Sequence, residues 1–279
     1  MNFRIFRYNL NPFDIKEFTM QHIILKAFYT LLFLQSPSEY QQEYHSLKEC
    51  QSYNDKQIGC VERKFYENGV IEEELPFKNN EVNGIFKGYY KNGKLADMIP
   101  YRNGELHGEA IFYHENGNIE CKATYHHDML DGVVTCYYEN DNIASETRYK
   151  NNNKEGIETL YYENGEIQET TIYKNDKAEG VRRSYYKNGI LQESATFSND
   201  KLHGLTITYD ENAKIIIEQT FKDGKLNGVT KSYDENEKLN IEILYENNEI
   251  IQAVCGNGKL VSSKDFYKIK QVDYSMCLE

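Results

Sequence analysis

Residues 161–189 read YYENGEIQETTIYKNDKAEGVRRSYYKNG, and the stretch ends on nearly the phrase with which it begins, Tyr-Tyr-charged-Asn-Gly. The phrase returns along most of the chain. Steps of 24 residues from Asn68 reach Asn92, Asn116, Asn140, Asn164, Asn188, Asn212 and Asn236 without a slip. Gly follows the Asn at Gly69, Gly93, Gly117, Gly165 and Gly189; Asp141, Ala213 and Glu237 replace it in the other three copies. Two more rows keep the same step, the aromatics Phe77, Tyr101, Tyr125, Tyr149, Tyr173, Phe197, Phe221 and Tyr245, and the glycines from Gly84 to Gly228. Three rows locked at one period mean a stacked array of one supersecondary unit.

The unit is a β-hairpin. Apolar residues alternate around each Asn-Gly, the pattern of two short strands and a tight turn. Parity sets the loop length. Three positions before each Asn stand Phe or Tyr (Phe65 to Tyr233), and three positions after stand Ile or Leu (Ile71 to Leu239). Directly opposed residues share a face of the sheet. A two-residue loop would separate these rows, whereas a three-residue loop such as Glu163-Asn164-Gly165 unites them. That loop is a type I turn closed by a left-handed residue, a conformation that Gly adopts without a Cβ clash. Continued outward, the same parity predicts one apolar face that also carries the row from Val61 to Val229 and the Phe77–Tyr245 row. The expected fold is all-β, an elongated, twisted antiparallel meander of about eight stacked hairpins with a cap at each end.

These spacings, G-x4-Y-Y-x-N-G-x-[IL] with [YF]-x-[ND]-x-x-x-G, resemble MORN repeats, specifically the bacterial second variant found in the YwqK-type antitoxin family. The resemblance covers residues 60–252. It implies an elongated hairpin stack with no catalytic residues and a role in contacting protein or lipid.

Outside the repeats, residues 253–279 read as a degenerate ninth hairpin that closes the C-terminal end. Residues 36–59 read as the N-terminal cap, with 36–50 as a short helix. Residues 1–35 are an N-terminal extension in which the segment from Met20, with the apolar run Ala27–Leu34 and small residues at Ser36 and Ser38, has the form of a secretory signal peptide. The run is too short to anchor in a bilayer. Six cysteines fit an oxidising compartment. Cys50 with Cys60, and Cys255 with Cys277, are placed to staple the two caps. Cys121 and Cys136 fall on opposite faces by parity and are expected to stay unpaired.

Composition narrows function. A net charge of −12 is a poor match for nucleic acid. No nucleophile, metalloprotease, phosphate-loop or dinucleotide motif occurs, the seven His are scattered, and no Cys-x-x-Cys suggests zinc. His126-His127-Asp128 reads as a solvated turn. No catalytic residue, metal or cofactor is expected. A row two positions before each Asn remains: Tyr66, Tyr90, His114, Tyr138, Tyr162 and Tyr186, then Asp210 and Asp234. Parity puts it on the polar face, where it would form an exposed ladder able to hold a protein or glycan. Two functional classes follow. One is a non-enzymatic binding or scaffold module exported to the periplasm or cell envelope. The other is a cytoplasmic antitoxin that neutralises a toxin protein by direct contact.

Overall fold

The computed structural model describes residues 47–277. The expected signal peptide and most of the 36–50 helix lie outside them. Within the described residues the chain forms one antiparallel sheet of 21 strands, numbered β1 to β21 in chain order. It runs from β1 (Cys60–Phe65) to β21 (Glu249–Cys255) as a meander. Each long strand pairs with the strands just before and after it. The count exceeds the expected two per repeat because an irregularity splits some strands. Beside it, Gly108 has φ +123° and a Cβ there would lie 3.1 Å from Pro100 Cγ, which explains the second glycine row.

The hairpin tips are three-residue loops. In the first, Tyr66 N–H donates to Val70 O at 2.8 Å, Gly69 N–H donates to Tyr66 O at 2.9 Å, and Gly69 has φ +82°. The Asn sits between these contacts: its Oδ1 accepts from the N–H two residues on, as Asn68 does from Val70 at 3.1 Å. Its Nδ2 donates to the next tip, Asn68 to Lys91 O and Asn164 to Lys187 O, both at 3.2 Å. The opposite ends of the hairpins are two-residue turns with both residues left-handed, such as Asn175 at φ +49° and Asp176 at φ +65°. They are also stitched together. Asp176 N–H donates to Lys154 O at 3.1 Å, and its Oδ1 accepts from Lys154 N–H at 2.6 Å.

The predicted single apolar face needs correction. Phe65 pairs with Ile71, but Lys64 pairs with Glu73, leaving Glu72 as an extra residue. The same shift recurs beside Tyr89, Tyr113, Tyr137, Tyr161, Tyr185, Tyr209 and Tyr233. This bulge reverses parity along the returning strand. The Tyr161 and Ile167 rows therefore share one face with the Ile157 row, and the Tyr173 row stands on the other.

Cys121 and Cys136 show the consequence. Reversed parity puts Cys121 on the same face as Cys136; the two are direct partners between β8 (Ile119–His126) and β10 (Gly132–Tyr137), with Cα atoms 4.0 Å apart, and form a disulfide. The expectation of free thiols was wrong because it carried parity through a bulge. The bond lies in a cluster with Ala110, Phe112, Ala123 and Val134, against which Tyr125 and Tyr149 pack. We call this the inner face. Its small side chains lie beneath large rings, and burial pushes the Tyr149 hydroxyl up to about 12.

Both ends are closed. Helix α1 (Tyr53–Ile58) lies within the expected N-terminal cap; of the stretch 36–50 only residues 47–50 are described, and they are not helical, with Glu49 bridged to Val61. Ser52 caps α1 by accepting from Asp55 N–H. Carbonyls of Lys56 and Gln57 accept from Asn80 and Asn79 N–H at 3.0 and 3.1 Å, as a preceding repeat would. A disulfide joins Cys50 to Cys60. At the other end, a three-residue loop with Gly258 at φ +87° leads to helix α2 (Phe266–Lys270). Ile269 and Met276 pack there on Ile241, Ile243 and Ala253, and Cys255 is joined to Cys277.

Two predictions follow from this geometry. Ala213 and Glu237 hold φ +63° and +59° at tips where other copies have Gly. Replacing either by Gly should stabilise by about 0.5–1 kcal/mol, the left-handed penalty less the entropy that Gly adds to the unfolded chain. Urea unfolding checks the sign. Replacing Cys121 and Cys136 together by Ser should cost about 3 kcal/mol for a loop of this length. A loss in the oxidised protein that disappears when wild type and variant are compared under full reduction would assign the cost to the bond.

Candidate binding faces

The Tyr row expected to stand free on a polar face lies on the inner side of the tips. Each hydroxyl is committed to the next repeat: Tyr66 donates to Tyr89 O at 2.6 Å, Tyr138 to Tyr161 O at 2.6 Å, Tyr162 to Tyr185 O at 2.7 Å and Tyr186 to Tyr209 O at 2.8 Å. Tyr90 makes the same bond, and His114 reaches Tyr137 O through Nε2 at 3.0 Å. Tyr90 is 9% exposed and the others are half-buried. Burial raises the hydroxyl pKa of Tyr138. The switch to Asp also has a local reason. Asp210 Oδ1 accepts from Asn212 and Lys214 N–H at 2.9 and 2.8 Å, so the carboxylate ties its own loop instead of reaching forward. Backbone donation holds its pKa below the usual carboxylate value.

The opposite, outer face carries the Phe65–Tyr233 and Ile71–Leu239 rows, with charged and apolar rows beside them. Tyr89 donates to Glu74 Oε2 at 2.8 Å, Tyr161 to Glu146 Oε2 at 2.9 Å and Tyr233 to Glu218 Oε2 at 3.1 Å. Arg63 Nε reaches Glu74 at 2.9 Å. Burial raises the Glu74 carboxyl, but donation from Tyr89 and Arg63 outweighs it, and its pKa falls below the usual value. Beyond these rows lies the Val61–Val229 row, which the sequence places on the same apolar face; in the structure it is exposed as an apolar stripe, and the bulge adds Ile172 and Leu244 to it. Ile157 is 59% exposed, Leu205 47%, Ile172 39%, Leu244 38% and Val229 37%. Strand pairing joins Ile157 to Ile172 and Val229 to Leu244. Nothing among the described residues covers them. A shallow depression of about 250 Å³ lies on the stripe, lined by Leu205, Thr220 and Val229 with Glu218, Lys231 and Glu242.

Among the described residues no group of three or more His, Cys, Asp or Glu side chains is arranged to hold a metal ion. His127 instead contacts the Glu105 carboxylate at 2.6 Å, and Asp128 ties its turn to Leu106 N–H at 2.8 Å. His107 packs edge-on against His126 and His127, and its pKa is lowered by burial and by those neighbours. No helix among the described residues is long and apolar enough to cross a membrane.

Two Tyr variants separate the roles of the faces. Tyr162→Phe removes only the hydroxyl that meets Tyr185 O, with an expected loss of about 1 kcal/mol. Tyr162→Ala also removes the half-buried ring, with an expected loss of about 2–3 kcal/mol, below the cost at a fully buried site. Thermal unfolding gives both values. Equal stability of wild type and Tyr162→Ala would contradict a structural role for the row.

Comparison with known proteins agrees with this architecture. A family model described as a MORN repeat variant matches eight times, over residues 61–79, 82–103, 106–127, 130–151, 154–175, 178–199, 202–223 and 226–247. No curated protein matches the chain. Among solved structures, the crystal structure of TcdB2-TccC3-TEV aligns at 10% identity and TM-score 0.15, over 70% of this chain and 14% of that one. That of TcdB2-TccC3 aligns at 10% identity and TM-score 0.15, over 72% and 14%. The chain thus spans about one seventh of those molecules, and overlap this low supports no structural or functional argument. The eight family matches cover most of the chain, and their spacing is that of the hairpins: the chain belongs to the MORN repeat variant family.

Proposed function

We propose that this protein is a non-enzymatic binding or scaffold module whose outer face holds a protein partner. The observation that carries this reading is the exposed apolar stripe through Ile157, Leu205 and Val229 on repeated, rigid strands. Exposed contiguous apolar surface of this kind is typical of protein–protein contacts. The Tyr66–Tyr186 row, the first candidate for the contact, has its hydroxyls committed internally. MORN repeats suggest the same class of role, with no catalytic chemistry.

We place the protein outside the cytoplasm, in the periplasm or at the cell envelope. Two observations support this: the signal-peptide form of the segment from Met20, and the pairing of all six cysteines as disulfides. The pairing weighs against the alternative of a cytoplasmic antitoxin, although a net charge of −12 would suit a basic toxin. A glycan partner has less support, because the stripe is aliphatic and the Tyr rings are packed between repeats.

Leu205→Glu tests the reading. It adds charge at an exposed position, so it should leave the melting temperature within about 2 °C, a change under about 0.5 kcal/mol. Affinity capture with the full chain as bait should then lose the partner that wild type retains. Retention of the same partner by the variant would remove the outer face from the reading. Mass spectrometry of the secreted chain tests export, with a mature N-terminus near Ser38 as the expected result.

A further inference from the structure

A line of uncompensated lysines runs beside the apolar stripe, at the two-residue turns that join one hairpin to the next. Lys174 lies two residues beyond Ile172 on β13 (Ile167–Lys174), so it shares the outer face with the stripe, about 7 Å further along the strand. The residue before each turn is directly opposed by the residue after it. In the first two turns the opposed pair is a base and an acid, Lys78 with Glu81 and Arg102 with Glu105. From the fourth turn to the seventh the acids are gone. Lys150 opposes Asn153, Lys174 opposes Lys177, Ser198 opposes Lys201, and Lys222 opposes Lys225. The line ends where Glu246 opposes Glu249.

All six lysines are exposed, and among the described residues none of them has an ion-pair partner. Like charges directly opposed on neighbouring strands destabilise a sheet. The Lys174–Lys177 and Lys222–Lys225 pairs therefore cost stability that the Lys78–Glu81 arrangement would not. The nearest carboxylates are tied to the backbone. Glu155 and Glu179 accept from Asn175 and Asn199 N–H at 3.0 and 2.8 Å, and Asp176 and Asp200 accept from Lys154 and Ala178 N–H at 2.6 and 2.7 Å. Over the four turns (148–155, 172–179, 196–203 and 220–227) eight Lys and Arg stand against five Asp and Glu, a net +3 in a chain of −12.

Line and stripe occupy the same repeats, and each has a hollow. One of about 320 Å³ lies among Lys174, Asn175, Lys177, Glu179 and Asn199, and the one of about 250 Å³ lies between Leu205 and Val229. A partner that covers both must be aliphatic along one side and negatively charged along the other. A sulfated polymer or an anionic bilayer presents unbroken negative charge, which Glu155 and Glu179 within the line, and Glu246 and Glu249 at its end, would repel. A polypeptide can space its carboxylates to miss these four, and its Leu, Ile and Val side chains match the stripe.

We propose that the outer face of repeats four to eight is the docking site for an acidic, amphipathic segment of another protein, with its aliphatic side chains on Ile157, Leu205 and Val229 and its carboxylates along the line from Lys150 to Lys225. The proposal rests on the reading of this face as a protein-binding surface and adds the chemistry of the partner. Selection from a library of random linear peptides on the full, disulfide-bonded chain is the test. The selected peptides should be enriched in Asp and Glu together with Leu, Ile and Val. Their affinity should fall at least tenfold for Lys174→Glu combined with Lys222→Glu, and should fall for wild type as salt rises from about 50 to about 500 mM. The double variant recreates at two turns the base–acid pair of Lys78 and Glu81, so its thermal unfolding temperature should not drop. Leu205→Glu should weaken the same peptides at least tenfold. Peptides without acidic enrichment, released by Leu205→Glu and retained by the lysine variant, overturn the acidic partner and leave the face as a protein-binding surface. Peptides retained by Leu205→Glu, or a selection that enriches none, defeat the reading of the face as well. Heparin or phosphatidylglycerol vesicles that bind more tightly than the best peptide, and are released by the lysine variant, overturn the proposal in favour of a polyanion.

Discussion

A hairpin of 24 residues has too little apolar surface to fold alone, so everything in this protein depends on how one hairpin is tied to the next. The tie at the tips is a hydroxyl-to-carbonyl hydrogen bond. Tyr162 reaches Tyr185 O, and the equivalent bond recurs wherever the row holds Tyr. It satisfies a carbonyl at the end of a strand and fixes a ring between two repeats. Asn164 does the same with both ends of its amide, closing its own loop through Oδ1 and donating to Lys187 O through Nδ2. At the opposite edge Asp176 accepts from Lys154 N–H while its own N–H donates back. Each repeat is thus held at both ends by side chains whose reach is one repeat.

This arrangement explains the two unlike faces of a single-layer sheet. The middle of the inner face is buried, with Ala110, Ala123 and Ala195 almost fully so and Phe112, Ile241 and Ile243 beside other small residues. Tyr125 and Tyr149 pack against the cluster that holds Ala110 and Ala123. The outer face has no such cover. Its Tyr hydroxyls find carboxylates, and its aliphatic row beyond them stays exposed, where a partner would complete the layer that the sheet lacks.

The ends obey the same rule. An array must stop without presenting the open edge of its last unit. Helix α1 supplies the carbonyls that a preceding turn would supply, and the loop at Gly258 with α2 covers Ile241 and Ile243. Disulfides at Cys50–Cys60 and Cys255–Cys277 hold each cap to the strand it covers. Stability is thereby concentrated where a stack of repeats is weakest, since a terminal repeat has one neighbour instead of two.

The sequence by itself determined the repeat, its 24-residue step, the hairpin, and the three-residue tip with its left-handed Gly. Those features are local, and the residue types that satisfy them are few. The faces were decided by tertiary structure. A bulge residue such as Glu72 has no distinctive chemistry; it exists because Phe65 pairs with Ile71 while Lys64 pairs with Glu73, a relation between two strands. That one residue reverses parity. It brings Cys121 to the face of Cys136, brings Ile172 and Leu244 to the face of Ile157 and Val229, and sets the Tyr149 and Tyr173 row on the opposite face. Which residues a partner meets therefore depended on register, because a side chain's face is set by the strand it pairs with and not by its own identity.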